Sequence, residues 1–163
     1  AETTVIDLVR YYRAAGHLDN VVTILIELGE VLDSKKLAQA AAAELRRQHG
    51  CIVNIADIHA ERPLRGHLLY SVAKAGLVAL TRGLAQEMAP QVRVNAVAPG
   101  VIIWPEGEAW LDEEQRRKIV AHTLLKREGE PDDIARTVAF LIQDAPYITG
   151  QIIAVDGGRS INL

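Results

Sequence analysis

The sequence has little cysteine and few aromatic residues. Among 163 residues Cys51 is the single cysteine, and aromatic residues make up 4% of the chain. One thiol excludes an internal disulfide, so no disulfide framework can hold the fold together. The core must be built from Ala, Val, Ile and Leu, which suits buried parallel strands covered by helices. Cys51 opens an apolar run, which favours a buried structural thiol over a nucleophile.

The sequence also lacks a strong charge of one sign and a long apolar run. Lys and Arg number 18 against 21 Asp and Glu, which gives a net charge of −3, and no basic patch stands out. The electrostatic signature of a nucleic-acid-binding protein is therefore missing. We recognise no signal peptide and no apolar run near the roughly 18 residues that cross a membrane. We expect a cytoplasmic protein with neither a nucleic-acid nor a membrane partner.

Predicted strands alternate with predicted helices along the whole chain. The helices are predicted at 4–15, 35–48, 68–88, 112–122 and 131–143, and the strands at 21–26, 51–55, 92–97 and 151–155. These strands are apolar on both faces, which is typical of a parallel sheet with helices on each side. The sequence predicts an α/β fold with a doubly wound, mostly parallel sheet. The length favours a single domain over residues 1–163.

Tyr70 and Lys74 are four residues apart on a predicted helix, so their side chains share one face. A phenol loses its proton near about pH 10, and a nearby ammonium lowers that pKa because it stabilises the phenolate. A tyrosine placed in this way can exchange a proton with a substrate carbonyl or imine near neutral pH. The spacing alone is common by chance, and an amphipathic helix end explains it as well.

Polar or glycine-containing segments follow three of the predicted strands. Asp57 comes just after strand 51–55, Pro99-Gly100 closes the next strand, and Asp156-Gly157-Gly158 follows the last. Ligands bind at the carboxyl ends of strands in an open parallel sheet, so we expect these segments to meet at one edge. Each segment also has a purely structural interpretation. Asp57 can be a helix cap or a solvated loop residue, and the two glycine-containing segments can be ordinary turns.

The ordered segments between Leu45 and Leu163 resemble the second half of a short-chain dehydrogenase/reductase. They are Val53 to Asp57, Tyr70 to Lys74, Arg93 to Gly100, Gly129 to Ala135, Thr149 to Gln151 and Asp156 to Gly158. So many matches in order make chance a poor explanation. Asp57 occupies the place that serine usually holds in the family. Residues 57–64 resemble the pteridine reductases, which carry aspartate there.

The resemblance implies a role for each site residue. Tyr70 would be the proton donor, and Lys74 would lower its pKa and hold the nicotinamide ribose. Asp57 would help to pass protons to a reduced pterin. Pro99, Gly100 and Val101 would border the nicotinamide. The implied cofactor is NADPH, the implied substrate is a pterin, dihydrofolate or another small carbonyl or imine compound, and no metal is expected.

Residues 1–44 match the family poorly. The glycine-rich turn TGxxxGxG, whose backbone N–H groups hold the cofactor pyrophosphate, is not found, and Gly16 and Gly29 are the only glycines before Gly50. Three interpretations stay open. The chain is an NAD(P)H-dependent reductase, a catalytically inactive domain that serves as a binding or scaffold module, or a complete enzyme seen here with segments missing. The residues that select NADPH over NADH follow the second strand of such folds and are not recognisable.

The helix predicted at 68–88 is apolar almost all round. Its apolar residues are Leu69, Val72, Ala73, Ala75, Leu77, Val78, Leu80, Leu84 and Ala85. A helix that covers one face of a sheet should present a polar outer side, so this pattern predicts a second buried face. The resemblance implies a homodimer or homotetramer that pairs through this helix.

The remaining histidines and the tryptophans give weaker signals. His59 and His67 lie in the loop before Tyr70, and their spacing of eight residues is not that of a metal site, so we interpret them as solvated loop residues. Trp104 and Trp110 follow Pro99-Gly100, where the resemblance implies a mobile lid over the substrate. Local packing of the two indole rings is an equal alternative.

Overall fold

The computed structural model describes residues 34–102 and 113–162, which fall in two compact units, 1–50 and 51–163. In the first unit, helix α1 spans Ser34–Arg47, as predicted for 35–48, and the backbone N–H of Gly50 donates to the Leu45 carbonyl at 2.9 Å. The predicted helix 4–15 and strand 21–26 lie outside the described residues. The prediction of a single domain over 1–163 stays a prediction.

The second unit is built on three parallel strands in the order β1-β2-β3. The strands are β1 Cys51–Ile55, β2 Arg93–Pro99 and β3 Ile152–Val155. The apolar runs of the sequence therefore predicted every described strand to within two residues. Cys51 was expected to be a buried thiol, but its free thiol is only half-buried.

Helices cover both faces of this sheet. The helices of this unit are α2 Leu68–Met88, α3 Glu113–Ala121 and α4 Pro131–Gln143, of which α2 and α4 pack against the strands. On one face Val78 of α2 packs against Ala96 and Ala98, and on the other face Leu141 of α4 packs against Val97. Alternate residues of β2 thus enter two different cores, which is why that strand is apolar throughout. The predicted doubly wound α/β fold is confirmed.

From the sequence we expect no apolar run long enough to cross a membrane, and helix α2 departs from that expectation. This helix has 21 residues and contains an 18-residue window with a mean hydropathy of 1.3, so by length and composition alone it could span a bilayer. One such helix is weak evidence for a membrane protein, since core helices of soluble proteins pass the same test. Here Val78, Ala85 and Met88 are buried.

Candidate active site

The carboxyl ends of the three strands lie at one edge of the sheet, as the sequence predicted. Pro99 of β2 stands opposite Val155 of β3, and the backbone N–H of Gly100 donates to the Val155 carbonyl at 3.0 Å. A Cβ atom at Gly100 would lie 2.6 Å from the Cα atom of Asp156, so only glycine fits at this crossing. The segments that follow β2 and β3 are thus in direct contact.

Asp57 and Tyr70 meet at this edge. The Tyr70 hydroxyl donates to Oδ2 of Asp57 at 2.6 Å, although the two residues are thirteen positions apart. Oδ1 of Asp57 accepts from the backbone N–H of His59 at 2.7 Å and caps a short 3₁₀ helix, Ile58–Ala60. The interpretation of Asp57 as a cap is confirmed, and its contact with Tyr70 is compatible with the predicted site. Both of its carboxylate oxygens are engaged, which fixes the carboxylate beneath the phenol.

Lys74 lies on the same face of α2 as Tyr70, as its spacing predicted. Its Nζ atom donates to the carbonyl of Ile55 at 2.9 Å, at the end of β1. The same nitrogen lies 5.8 Å from the centroid of the Tyr70 ring. The ammonium is therefore placed over the aromatic ring, at the distance of a cation–π contact.

The acidity of Tyr70 departs from the sequence-based expectation. Burial, together with the hydrogen bond and the negative charge of Asp57, raises the pKa of Tyr70 to about 12. This net direction is opposite to the one expected from Lys74. The Asp57 carboxylate accepts the hydrogen bond of the phenol, whereas the Lys74 ammonium donates to the Ile55 carbonyl. Tyr70 therefore carries its proton at neutral pH and is 43% exposed at the edge of the sheet.

The loop between Asp57 and Tyr70 is held by a residue that the sequence analysis missed. Ser71 is buried, and its Oγ accepts from the backbone N–H of Leu64 at 3.0 Å. Nδ1 of His59 lies 2.9 Å from the Arg62 carbonyl, so this histidine has a structural contact. The sequence signal that could have indicated Ser71 is its position between Tyr70 and Lys74.

Residues 34–102 and 113–162 contain no group of three His, Cys, Asp or Glu side chains able to hold a metal ion.

The hydrogen bonds that hold the turn after β3 were also missed by the sequence analysis. Asp156 is buried, and its carboxylate accepts from the backbone N–H groups of Gly158 at 2.9 Å and Ser160 at 2.6 Å. Burial acts to raise the pKa of Asp156, but these hydrogen bonds lower it below the ordinary value. Gly158 adopts a left-handed conformation with φ of 78°, which directs the chain into a 3₁₀ helix, Arg159–Ile161.

The succession of these segments matches a known protein family. A family model described as Enoyl-(Acyl carrier protein) reductase matches residues 32–160. A short-chain type dehydrogenase/reductase from Mycobacterium ulcerans is 34% identical, with a TM-score of 0.70, over 77% of this chain and 47% of that one. The chain belongs to the short-chain dehydrogenase/reductase family.

Two other known proteins are similar to the chain. A 7alpha-hydroxysteroid dehydrogenase from Bacteroides fragilis is 43% identical over 69% of this chain and 44% of its own length. A blue fluorescent protein from a metagenomic library, solved in complex with NADPH, is 39% identical with a TM-score of 0.66 over 76% of this chain and 50% of its own. The chain spans about half the length of the curated relatives it matches.

The side chains at the sheet edge fit the nicotinamide end of the cofactor that the family implies. An ammonium has three N–H donors, and the described contacts of Lys74 use one of them on Ile55, which leaves donors for ribose hydroxyls. Pro99, Gly100 and Val101 are half-buried beside this edge. Residues 1–33, in which the family's glycine-rich turn is not found, lie outside the described residues, as do Trp104 and Trp110.

Proposed function

We propose that the chain is the catalytic half of an NADPH-dependent short-chain reductase that acts on a pterin, dihydrofolate or a related small carbonyl or imine compound. The observation that carries this proposal is the state of Tyr70, a half-exposed and protonated phenol whose hydroxyl lies 2.6 Å from Asp57. It stands where open parallel sheets bind their ligands. A proton donor at that place suits reduction, because the product oxygen or nitrogen must gain a proton.

The residues of the chain supply the proton transfer and the positioning. A nicotinamide cofactor, when bound, supplies a hydride. Tyr70 would give its phenolic proton to the substrate oxygen or nitrogen as negative charge develops there. The phenolate then faces the Asp57 carboxylate, a repulsive arrangement that drives Tyr70 to take up a new proton. Lys74 would hold the ribose hydroxyls with its remaining donors and so orient the cofactor against Tyr70.

Asp57 supports a pterin as the substrate, and the ligand of one relative supports NADPH as the cofactor. A carboxylate in the place of the usual serine can accept a hydrogen bond from a ring N–H group, and pterins carry several such groups. The pteridine reductases, which residues 57–64 resemble, have aspartate at this place. The choice of NADPH over NADH is supported by the relative whose solved structure holds NADPH.

We also propose that the protein is a cytoplasmic homodimer or homotetramer assembled through α2. Leu68, Leu69, Val72 and Leu80 expose 67%, 84%, 59% and 51% of their surface on this helix. A contiguous apolar patch of this kind is typical of an interaction surface. A second copy of the same helix would bury it.

The reductase proposal is tested by following NADPH oxidation with a dihydropterin or dihydrofolate as substrate. We expect Tyr70→Phe to lower turnover by about 10²–10⁴-fold because it removes the proton donor. The matched control is Tyr147→Phe, since Tyr147 is fully exposed outside the site. Circular dichroism would show that both variants fold. Turnover that survives Tyr70→Phe would contradict the proposal, and a folded chain that neither binds nor oxidises NADPH would favour the binding or scaffold module.

A further inference from the structure

Asn54 and Thr81 form a polar contact between β1 and α2, beneath the edge of the sheet that holds the site. Nδ2 of Asn54 donates to Oγ1 of Thr81 at 2.9 Å, and Oγ1 of Thr81 donates to the carbonyl of Leu77 at 2.7 Å. Thr81 is fully buried, and Asn54 is half-buried. Asn54 directly precedes Ile55, whose carbonyl accepts from Nζ of Lys74. A directed hydrogen-bond chain thus joins the two elements that carry the site.

Two polar contacts join α2 to β1, and both lie on one face of the helix. Thr81 follows Lys74 by seven residues, about two helical turns, so both side chains point towards the strand. Two such attachments fix a helix along its axis and in its rotation. The apolar contacts of this face, of Val78 with Ala96 and Ala98, are non-directional and tolerate small shifts. A hydrogen bond tolerates less, because it weakens steeply outside its normal distance and angle.

The Asn54–Thr81 pair is polar at a place where apolar side chains could pack. Asn54 brings an amide into an otherwise apolar strand. The Thr81 hydroxyl already donates within its own helix, to the carbonyl four residues earlier, so its proton does not depend on Asn54. Replacing both partners of a buried hydrogen bond by apolar groups of the same shape is nearly neutral for stability. The pair is therefore better explained by the geometry that it fixes than by stability.

The position of α2 decides whether the site is assembled. The Tyr70 hydroxyl lies 2.6 Å from Oδ2 of Asp57, and Nζ of Lys74 lies 2.9 Å from the Ile55 carbonyl. A shift of the helix by about 1 Å would carry both donors out of hydrogen-bond distance. Because Tyr70 and Lys74 belong to one helix, a single error of register would displace both.

We propose that Asn54 and Thr81 are positioning residues that set the register of α2 on β1. Through this register they hold Tyr70 and Lys74 in place at the edge of the sheet. The inference rests on the proposed function and adds to it two residues that act through others. It concerns geometry, so its consequences can be measured without turnover.

The titration of Tyr70 reports whether α2 is in register. It can be followed by NMR of the chain with isotope-labelled tyrosine Cζ, and Tyr70→Phe assigns the signal. We expect Thr81→Val, which removes the hydroxyl and keeps the shape, to lower the pKa of Tyr70 by about one unit, because the phenol moves away from the Asp57 carboxylate. Thr81→Ser keeps the hydroxyl and should titrate as the unaltered chain does. The matched control is Thr137→Val, since Thr137 makes the same bond to the carbonyl four residues earlier on α4, at 3.1 Å, and should leave Tyr70 unchanged.

An unchanged titration of Tyr70 in a folded Thr81→Val variant would overturn the proposal, and so would an equal shift in Thr137→Val. If Thr81→Val does not fold, the paired variant Asn54→Leu with Thr81→Val decides in the same way, because it leaves no buried amide without an acceptor. Failure of both variants to fold would show that the pair serves stability, which also overturns the proposal.

The titration needs neither cofactor nor substrate, so its outcome is separate from that of the reductase assay. Turnover together with an unshifted titration in Thr81→Val would overturn the positioning role alone. A shifted titration in a chain without turnover would overturn the reductase alone.

Discussion

At Tyr70 burial and the carboxylate of Asp57 set the acidity of the phenol. The carboxylate of Asp57 accepts the phenolic hydrogen bond, and the ammonium of Lys74 lies 5.8 Å from the ring centroid, bonded to the end of β1. Ionisation of Tyr70 would place two negative charges side by side, so the protonated phenol is favoured. Tyr70 is consequently an acid at neutral pH, and it can act as a base only at high pH.

The raised pKa of Tyr70 can be measured from phenolate absorbance. With a pKa of about 12, only a few per cent of Tyr70 is ionised at about pH 10.5, whereas an ordinary phenol would be more than half ionised. The signal of Tyr70 is the difference between the chain and Tyr70→Phe, which removes one of the four tyrosines. Asp57→Ser should lower the pKa by on the order of one unit. Ionisation of Tyr70 near pH 10 in the unaltered chain would show that Asp57 has no such effect.

Spacing and strand ends placed Asp57, Tyr70 and Lys74 at one edge of the sheet, because a helix face and a sheet edge are fixed by the fold. The family resemblance then singled these residues out. The direction of the pKa shift of Tyr70 could not be predicted in the same way, because it depends on the burial of the phenol and on its hydrogen bond to Asp57, thirteen residues away.

An arginine from outside the helix stabilises each end of α4. At its start the Asp133 carboxylate accepts from the backbone N–H of Glu130, and the Arg127 guanidinium makes two bonds to the same carboxylate. At its end the Arg93 guanidinium donates to the carbonyls of Leu141, Ile142 and Ala145. The start was predictable from proline and acidic residues in the first turn. The end was not, because Arg93 lies at the start of β2.

Arg93→Gln should destabilise the second unit because the last carbonyls of α4 lose their donors. Three hydrogen bonds from one charged group, at 2.7–3.1 Å, are at stake. We expect the free energy of unfolding to fall by about 1–3 kcal/mol, measured by urea denaturation. Arg136→Gln, on the exposed side of the same helix, is the control and should change stability little. An Arg93→Gln variant as stable as the unaltered chain would contradict this interpretation.

Asp133 should make stability depend on pH in the acid range. The hydrogen bond from Arg127, followed by that from the Glu130 backbone, lowers the pKa of Asp133 from 3.8 to about 2. Since the pKa in the folded state is depressed, the contribution is full above the ordinary value and is lost as the pH falls towards 2. Asp133→Asn should lower the melting temperature by a few degrees at about pH 6, and the difference should narrow towards about pH 2. A constant difference over that range would contradict the ion-pair explanation.

The proposed assembly of the protein depends on the apolar outer face of α2. The sequence predicted an unpartnered face from its composition alone, and the structure shows Leu69 and Val72 exposed there. The sequence could not predict which residues of α2 face the sheet, because Val78 and Leu80 are equally apolar. Only the position of the helix on β2 separates the buried side from the exposed one.

Charged substitutions on that face should change the oligomeric state. We expect Leu69→Glu to convert a dimer or tetramer to monomer, measured by light scattering coupled to size-exclusion chromatography. A buried interface does not tolerate an unpaired carboxylate, which explains the expected loss. Tyr147→Glu places the same charge on a fully exposed residue outside α2 and should leave the assembly intact. A monomeric unaltered chain, or an assembly unaffected by Leu69→Glu, would exclude α2 as the interface.

The central claim is that this chain holds a nicotinamide cofactor against Tyr70, and calorimetric titration with NADPH tests it most directly. We predict saturable binding in the micromolar range, tighter for NADPH than for NADH. Lys74→Met should weaken binding about tenfold, because the ribose hydroxyls would lose hydrogen bonds from a charged donor. No detectable binding at millimolar NADPH would contradict the account, and Asp57, Tyr70 and Lys74 would then form a site without a reductant.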